Sequence, residues 1–288
     1  MSLLTAAADP GIWHRIFDFS DYGSLLRLVH NSLIAGAVLG IVGGLISSFV
    51  MMRDLPFAVH GISELSFAGA AAALLVGVNV VVGSIVGSLI AAVVIGALGV
   101  RARDRNSSIG VLMPFGLGLG VLFLSLYEGR SANKFGLLVG QIVAVDAPHL
   151  AWLLGTCAVV AAGLAIIWRP LSFASTDPEA AAAAGVPVRA LSAVFMVLLG
   201  LTVAMSVQIV GALLVLSIIC TPAAAAMRVT ASPRIVPALS MVFGLVAMLG
   251  GILLAVGGTV PISPYVTTIS FAIYVACRLL GRRRALAR

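Results

Sequence analysis

Leu171-Ser-Phe-Ala-Ser-Thr-Asp-Pro-Glu-Ala-Ala-Ala-Ala-Ala-Gly-Val-Pro187 is a polar island between two long apolar runs, and its reading gives those runs their meaning. Asp177 has the side chain of a helix N-cap, Pro178 suits the first helical position, and Glu179 faces the positive end of the dipole. Five alanines propagate the helix, and Gly185 with Pro187 stops it. The pattern predicts a helix of about two turns, roughly 10 Å long, over residues 177–185. So small and well bounded an element between two apolar spans reads as a docking helix offered to a soluble partner.

The surrounding chain is built for lipid. Of 288 residues, 61% are hydrophobic and 9% charged, against roughly 25% charged in a soluble domain. Mean hydropathy is +1.18. Apolar runs of about 20 residues recur from Leu28 to Leu280, and a bilayer admits only helices or closed barrels as spanning elements. Runs this continuous specify helices, so the fold class is an all-α polytopic membrane protein. The spans fall at about 28–52, 57–77, 80–100, 108–126, 150–168, 189–206, 208–228, 234–256 and 263–280, which makes nine, with eight the alternative count. The 31 glycines allow helix backbones to approach closely. Residues 1–27, with Trp13, Ile16, Phe17, Phe19 and Tyr22, read as an interfacial segment rather than a cleaved signal peptide. Residues 28–280 form the membrane domain, and 281–288 a basic tail; no separate soluble domain fits in what remains.

A net charge of +7 invites thoughts of nucleic acid, but the basic residues follow topology instead. With nine spans, 13 of the 17 lie in one set of loops, among them Arg53, Arg101, Arg103, Arg105, Arg189, Arg228 and Arg282–Arg284, and four in the other: Arg15, Arg27, Arg130 and Lys134. The positive-inside rule puts the richer set, and the 177–185 helix with it, in the cytoplasm. The amino terminus is then outside and the carboxyl terminus inside. Between Tyr127 and His149 hydropathy weakens, and Lys134–Gly140 is too short to span, so it reads as a half-helix or an outer lid. Ser206-Val-Gln208 reads as a tight outer turn, and Cys220-Thr221-Pro222 as a helix end disturbed by proline. Cys157, Cys220 and Cys277 stand singly within spans and read as small buried apolar residues.

Ionisable residues inside spans are costly, so each is a functional candidate. His60 and Glu64 lie four apart near the start of the second span with Ser63 between them, and one helical face carries imidazole, hydroxyl and carboxylate. Imidazole and carboxylate form a ligand set for a borderline divalent cation such as zinc or manganese. Two ligands leave the site open, as transit requires, since a path must release what it binds. The alternative is a histidine–glutamate pair that satisfies only itself. His30 and Asn31, near the outer end of the first span, could line an entrance. The only lysine, Lys134, is followed by Phe and Gly, which excludes a Walker A loop, and there is no HExxH for a zinc protease. Nothing in the chain points to an enzyme.

Several segments together resemble the permease subunits of bacterial metal-ion ABC transporters, the zinc and manganese uptake family. They are Gly44-Leu-Ile-Ser-Ser-Phe-Val-Met-Met-Arg53, the Ser63–Gly77 run, Ser108-Ile-Gly-Val, Leu171-Ser-Phe through Asp177-Pro-Glu179 and Gly185-Val-Pro187, Gln208-Ile-Val-Gly-Ala-Leu-Leu-Val, and Thr221-Pro-Ala-Ala. Their order and spacing cover about Ser32 to Leu280. The resemblance implies a type II ABC importer-like permease that works as a dimer with a second copy, two cytoplasmic ATPase subunits and an extracellular metal-binding protein. No cofactor is held permanently; Zn2+ or Mn2+ passes through. It makes the 177–185 segment a cytoplasmic coupling helix, with Asp177, Pro178, Glu179 and Gly185 as its defining residues. Family members usually carry an aspartate and a histidine four apart in the second span. Aligning Phe57, Ser63 and Gly69 places His60 at the aspartate position and Glu64 at the histidine position, the same chemistry in inverted order. Two other readings stay open: an ion-gradient-driven secondary carrier relaying protons through Glu64 and His60, and a siderophore- or cobalamin-type importer permease of similar architecture.

Overall fold

A computed structural model describes residues 29–98, 102–129, 136–138, 140, 145–256 and 261–286, together with Gly23 and Leu26. The expected interfacial segment 1–27, Lys134 and the last two residues of the tail therefore lie outside the described residues or nearly so. The described chain is helical, with no strand. Its elements are α1 (His30–Met52), α2 (Pro56–Val76), α3 (Val80–Leu98), α4 (Ala102–Leu126), α5 (Ala147–Thr176), α6 (Pro178–Ala183), α7 (Val188–Val210), a 3-10 turn at Ala212–Leu214, α8 (Val215–Ile219), α9 (Thr221–Val229), α10 (Ile235–Val256) and α11 (Ile262–Leu286). Eight of them, α1 to α5, α7, α10 and α11, are long and apolar enough to cross a membrane.

Two elements differ from the sequence reading in ways that chemistry explains. α5 does not stop near residue 168 but continues through Pro170 to Thr176. The hydroxyls of Ser175 and Thr176 donate back to the carbonyls of Leu171 and Ser172, at 2.6 and 2.9 Å, so the start of the polar island is the last part of a long helix. The expected span 208–228 is broken. α7 runs on through the expected turn at Ser206–Gln208 to Val210, and Gly211 then takes a φ of +88°. A Cβ on Gly211 would lie 2.2 Å from the Leu138 carbonyl oxygen, so the chain turns there only because the residue is glycine. A second break at Cys220 separates α8 from α9, with Pro222 in the first turn of α9.

Irregular backbone at membrane depth survives only where protein groups satisfy it. The Ser47 hydroxyl of α1 accepts from the Ala223 amide at 3.1 Å and lies 3.4 Å from the Cys220 carbonyl oxygen, while the Ser263 hydroxyl of α11 donates to the Val210 carbonyl at 2.9 Å. The broken segment runs alongside α11 from Ser263 to the level of Gly281, where the Arg228 carbonyl packs against that glycine. It thus covers the same distance as a continuous helix, in three short pieces.

The core is one apolar cluster between the helices, with Phe49, Phe67 and Phe195 fully buried. The Phe49 ring meets Trp168 edge to face at 4.9 Å and Phe195 at 6.0 Å, tying α1, α5 and α7 together. α2 packs between α3 and α4 and crosses α7. The α2–α3 contact is backbone on backbone, since a Cβ on Gly69 would come within 2.3 Å of the Gly83 carbonyl oxygen. α4 is the most open helix, with Val111, Phe115, Val121 and Leu122 exposed.

The short helix is as the sequence specifies. The Asp177 carboxylate accepts from the Ala180 amide at 2.9 Å, Glu179 lies in the first turn, and Gly185 ends the turn with a φ of +81°. α6 spans six residues, about 9 Å. Ala181 is its one buried residue and packs with Ala174 and Leu191 in a small separate cluster that seats α6 on the end of α5 and the start of α7. Met52, Ser175, Met227 and Thr230 line one groove, so the α1–α2 turn, α6 and the end of α9 share one end of the bundle.

Candidate metal-transit site

α2 carries the pair. Pro56 fits the first turn of a helix, where its missing amide hydrogen costs nothing, and α2 ends at Gly77 in the left-handed region. His60 and Glu64 stand one turn apart on α2, about 6 and 12 Å from its first residue. The His60 Nε2 lies 3.7 Å from the Glu64 Oε1, with the histidine side chain 28% exposed and the glutamate 4%. That gap is too long for a direct hydrogen bond. His60 Nδ1 and Glu64 Oε2 are both buried and have no hydrogen-bond partner among the described residues. A buried polar atom left unsatisfied costs about 1–3 kcal/mol, so His60 Nδ1 and Glu64 Oε2 each carry a cost that the pair itself does not relieve.

Two donors 3.7 Å apart can share an ion at about 2.1 Å from each, subtending roughly 125°. Among the described residues no third His, Cys, Asp or Glu joins them, and the two donors stand alone.

The other candidates separate. The Ser63 hydroxyl is fully buried and donates to the His60 carbonyl at 2.8 Å, so it is spent on the helix rather than turned to a path. His30 is exposed at the start of α1, and the Asn31 amide donates to the Val145 carbonyl at 3.3 Å. Both sit at the opposite end of the bundle from the α1–α2 turn, roughly 25 Å along the helix axes from His60. Asp177, Pro178, Glu179 and Gly185 are grouped on the exposed α6 and its C-terminal turn, away from the pair. Sequence reasoning missed two neighbours. Gly116 of α4 faces Glu64 so closely that a Cβ there would lie 3.2 Å from the glutamate's own Cβ. Arg53, visible in the sequence only as one more loop charge, links the α1–α2 turn to Ser175 and Ser192.

The sequence profile of the ABC 3 transport family matches residues 26–280, nearly the whole membrane bundle. The chain belongs to that family. Among ABC 3 relatives, it is 30% identical to the manganese import system permease protein ScaB of Streptococcus parasanguinis, over 73% of this chain and 75% of that one. It is 28% identical to the manganese transport system membrane protein MntC of Halalkalibacterium halodurans, over 79% of this chain and 78% of the relative. It is 23% identical to the high-affinity zinc uptake system membrane protein ZnuB of Haemophilus influenzae, over 87% and 97%. In three dimensions it is similar to a chain of PsaBC from Streptococcus pneumoniae in complex with Fab, with a TM-score of 0.83, 26% identity, and coverage of 94% of this chain and 100% of that one. An inward-facing putative metal-chelate type ABC transporter shares the fold at a TM-score of 0.68 and 17% identity, over 92% and 88%. The expectation of a metal-ion ABC permease and an all-helical importer fold is thereby met.

Proposed function

We propose that this chain is the permease subunit of an ATP-driven importer of zinc or manganese, and that the cation passes in transit between His60 and Glu64. The observation that carries the reading is an imidazole nitrogen and a nearly buried carboxylate oxygen 3.7 Å apart on one face of α2, in a chain whose relatives are named for manganese and zinc uptake. The cation is cargo; no group is held permanently. A second copy of the permease supplies the other half of the path and the remaining ligands, an extracellular metal-binding protein delivers the ion, and separate cytoplasmic ATPase subunits grip α6. The protein lies in the bacterial plasma membrane with its amino terminus outside. The gathering of Arg53, Arg189 and Arg228 at the α6 end supports that orientation through the positive-inside rule.

The test is reconstitution in proteoliposomes with the ATPase and the binding protein, following radioactive zinc and manganese. Wild type takes up one or both only with ATP, and His60→Ala/Glu64→Ala assembles but moves neither. Wild-type uptake by the double variant removes the transit site. Uptake by the purified chain alone, driven by an ion gradient, replaces the ATP-driven reading with a secondary carrier.

A further inference from the structure

The pair on α2 and the helix proposed to meet the ATPase lie on different parts of the chain, and the Arg53 side chain is one bridge between them. Arg53 occupies the three-residue turn between α1 and α2. The turn is held tightly: the Arg53 amide donates to the Phe49 carbonyl at 3.0 Å and the Leu55 amide to the Val50 carbonyl at 2.9 Å. Asp54 between them has a φ of +53°, the one positive value at a non-glycine position among the described residues. Such a conformation persists where the surroundings over-determine it. The turn is therefore short, fixed and continuous with the first turn of α2.

From that turn the guanidinium reaches across to the α5–α6–α7 hairpin. Its Nη1 donates to the Ser175 hydroxyl at 3.3 Å, in the last turn of α5, and its Nη2 donates to the Ser192 hydroxyl, near the start of α7. The same group lies over the Phe195 ring, 5.6 Å from the centroid. Ser175 and Ser192 bracket α6 in sequence, and the Ala174–Ala181–Leu191 cluster locks α6 to both flanking helices. A displacement of α6 thus carries Ser175 and Ser192 with it, and Arg53 holds both.

We propose that Arg53 is a positioning residue that transmits movement of α6 to the His60–Glu64 pair; this rests on the ATP-driven reading above. The task needs a planar fork with several fixed donors, able to hold two hydroxyls and stack on an aromatic ring at once. Lysine, a point charge on a flexible stem, cannot reproduce it. Ser175 and Ser192 offer the fork its two hydroxyl acceptors, so replacing both with alanine removes those two bonds and keeps the Arg53 cation over the Phe195 ring.

The experiment compares Arg53→Ala, Arg53→Lys and Ser175→Ala/Ser192→Ala in the reconstituted complex with its ATPase. It reads the number of metal ions moved per ATP hydrolysed, alongside the amount of assembled complex. Each variant is expected to lower that ratio at least tenfold. A variant that only destabilises the fold reduces both rates together and leaves the ratio at its wild-type value, and that result overturns the proposal. If Arg53→Ala fails to assemble, the serine double variant decides: a wild-type ratio there overturns it equally. Absence of ATP-dependent uptake by wild type defeats the underlying transport reading instead, so the two failures are distinguishable.

Discussion

Removal of one donor at a time from α2 tests whether His60 and Glu64 hold the same ion. A ligand lost from a metal's inner sphere costs at least what an outer-shell partner costs, about 10- to 100-fold in affinity. That corresponds to roughly 1.4–2.7 kcal/mol. His60→Ala and Glu64→Ala should each weaken zinc or manganese binding by that much. Effects add for sites more than about 7–10 Å apart, whereas these donors are 3.7 Å apart. If both hold one ion, whichever donor goes first removes the chelate, and the second loss adds little. The double variant should then bind no more than about twofold more weakly than the worse single one, a coupling of at least ~1 kcal/mol. Metal competition with a chromogenic chelator, on the purified permease in detergent, measures all four corners of the cycle. Glu64→Gln provides a control that keeps the side-chain volume and removes the charge, separating loss of a ligand from loss of packing. Two single effects that sum to the double within about 0.5 kcal/mol, or single variants that bind as wild type does, would refute a shared ion.

Other perturbations probe the scaffold. Asp177→Ala removes the acceptor 2.9 Å from the Ala180 amide, a cap worth about 1 kcal/mol, and should lower recovery of the ATPase in co-purification while leaving thermal stability of the bundle nearly unchanged. Ser47→Ala leaves the Ala223 amide and the Cys220 carbonyl without their partner on α1, at a cost of about 1–3 kcal/mol. A lowered melting temperature in detergent checks it, and an unchanged one would show that the break is satisfied otherwise. Gly211→Ala forces a Cβ to within 2.2 Å of the Leu138 carbonyl oxygen at a φ of +88°. It should reduce the yield of folded protein more than Gly185→Ala, whose φ of +81° is as strained but whose Cβ meets nothing within 4 Å.

Much of this molecule is legible in its sequence because the bilayer leaves few choices. Continuous apolar runs must be helices, and α2, expected at 57–77, runs from Pro56 to Val76. The Asp177 cap and Gly185 stop are local chemistry and appear where the residues put them. What hydropathy cannot register is backbone satisfaction supplied from far away. Residues 208–228 average as an apolar span, yet the breaks at Gly211 and Cys220 are tolerated because Ser263 and Ser47 complete them. Pro170 and the hydroxyls after it suggest an end to α5, but the same hydroxyls bond back to their own helix and prolong it. The His60–Glu64 face follows from four-residue spacing. Ser63 shares that stretch and still turns inward, since a helical serine can bond the carbonyl of its own preceding turn. Arg53 finds its partners more than a hundred positions later in the chain, where no spacing rule reaches.

The place of the pair along α2 bears on how access to it could alternate. At Gly69 and again at Leu65 the helix is pinned to α3, because a Cβ on Gly69 or on Gly87 would lie 2.3 Å from a backbone carbonyl oxygen of the facing helix. Toward the Arg53 end, Gly61 meets the side chains of Ile95, Ile109 and Met113 rather than backbone. Side chains can repack around a moving helix where touching backbones cannot, so Leu65, the last backbone contact with α3 before the pair, is the natural fulcrum. His60 lies five residues from Leu65, about 7.5 Å along the axis. A tilt of about 10° there shifts His60 by about 1.3 Å, more than half of a metal–donor bond of about 2.1 Å. A small rotation driven from the Arg53 turn is the movement by which the proposed transit site would open and close. Among the described residues no third His, Cys, Asp or Glu joins the pair to hold an ion against that motion.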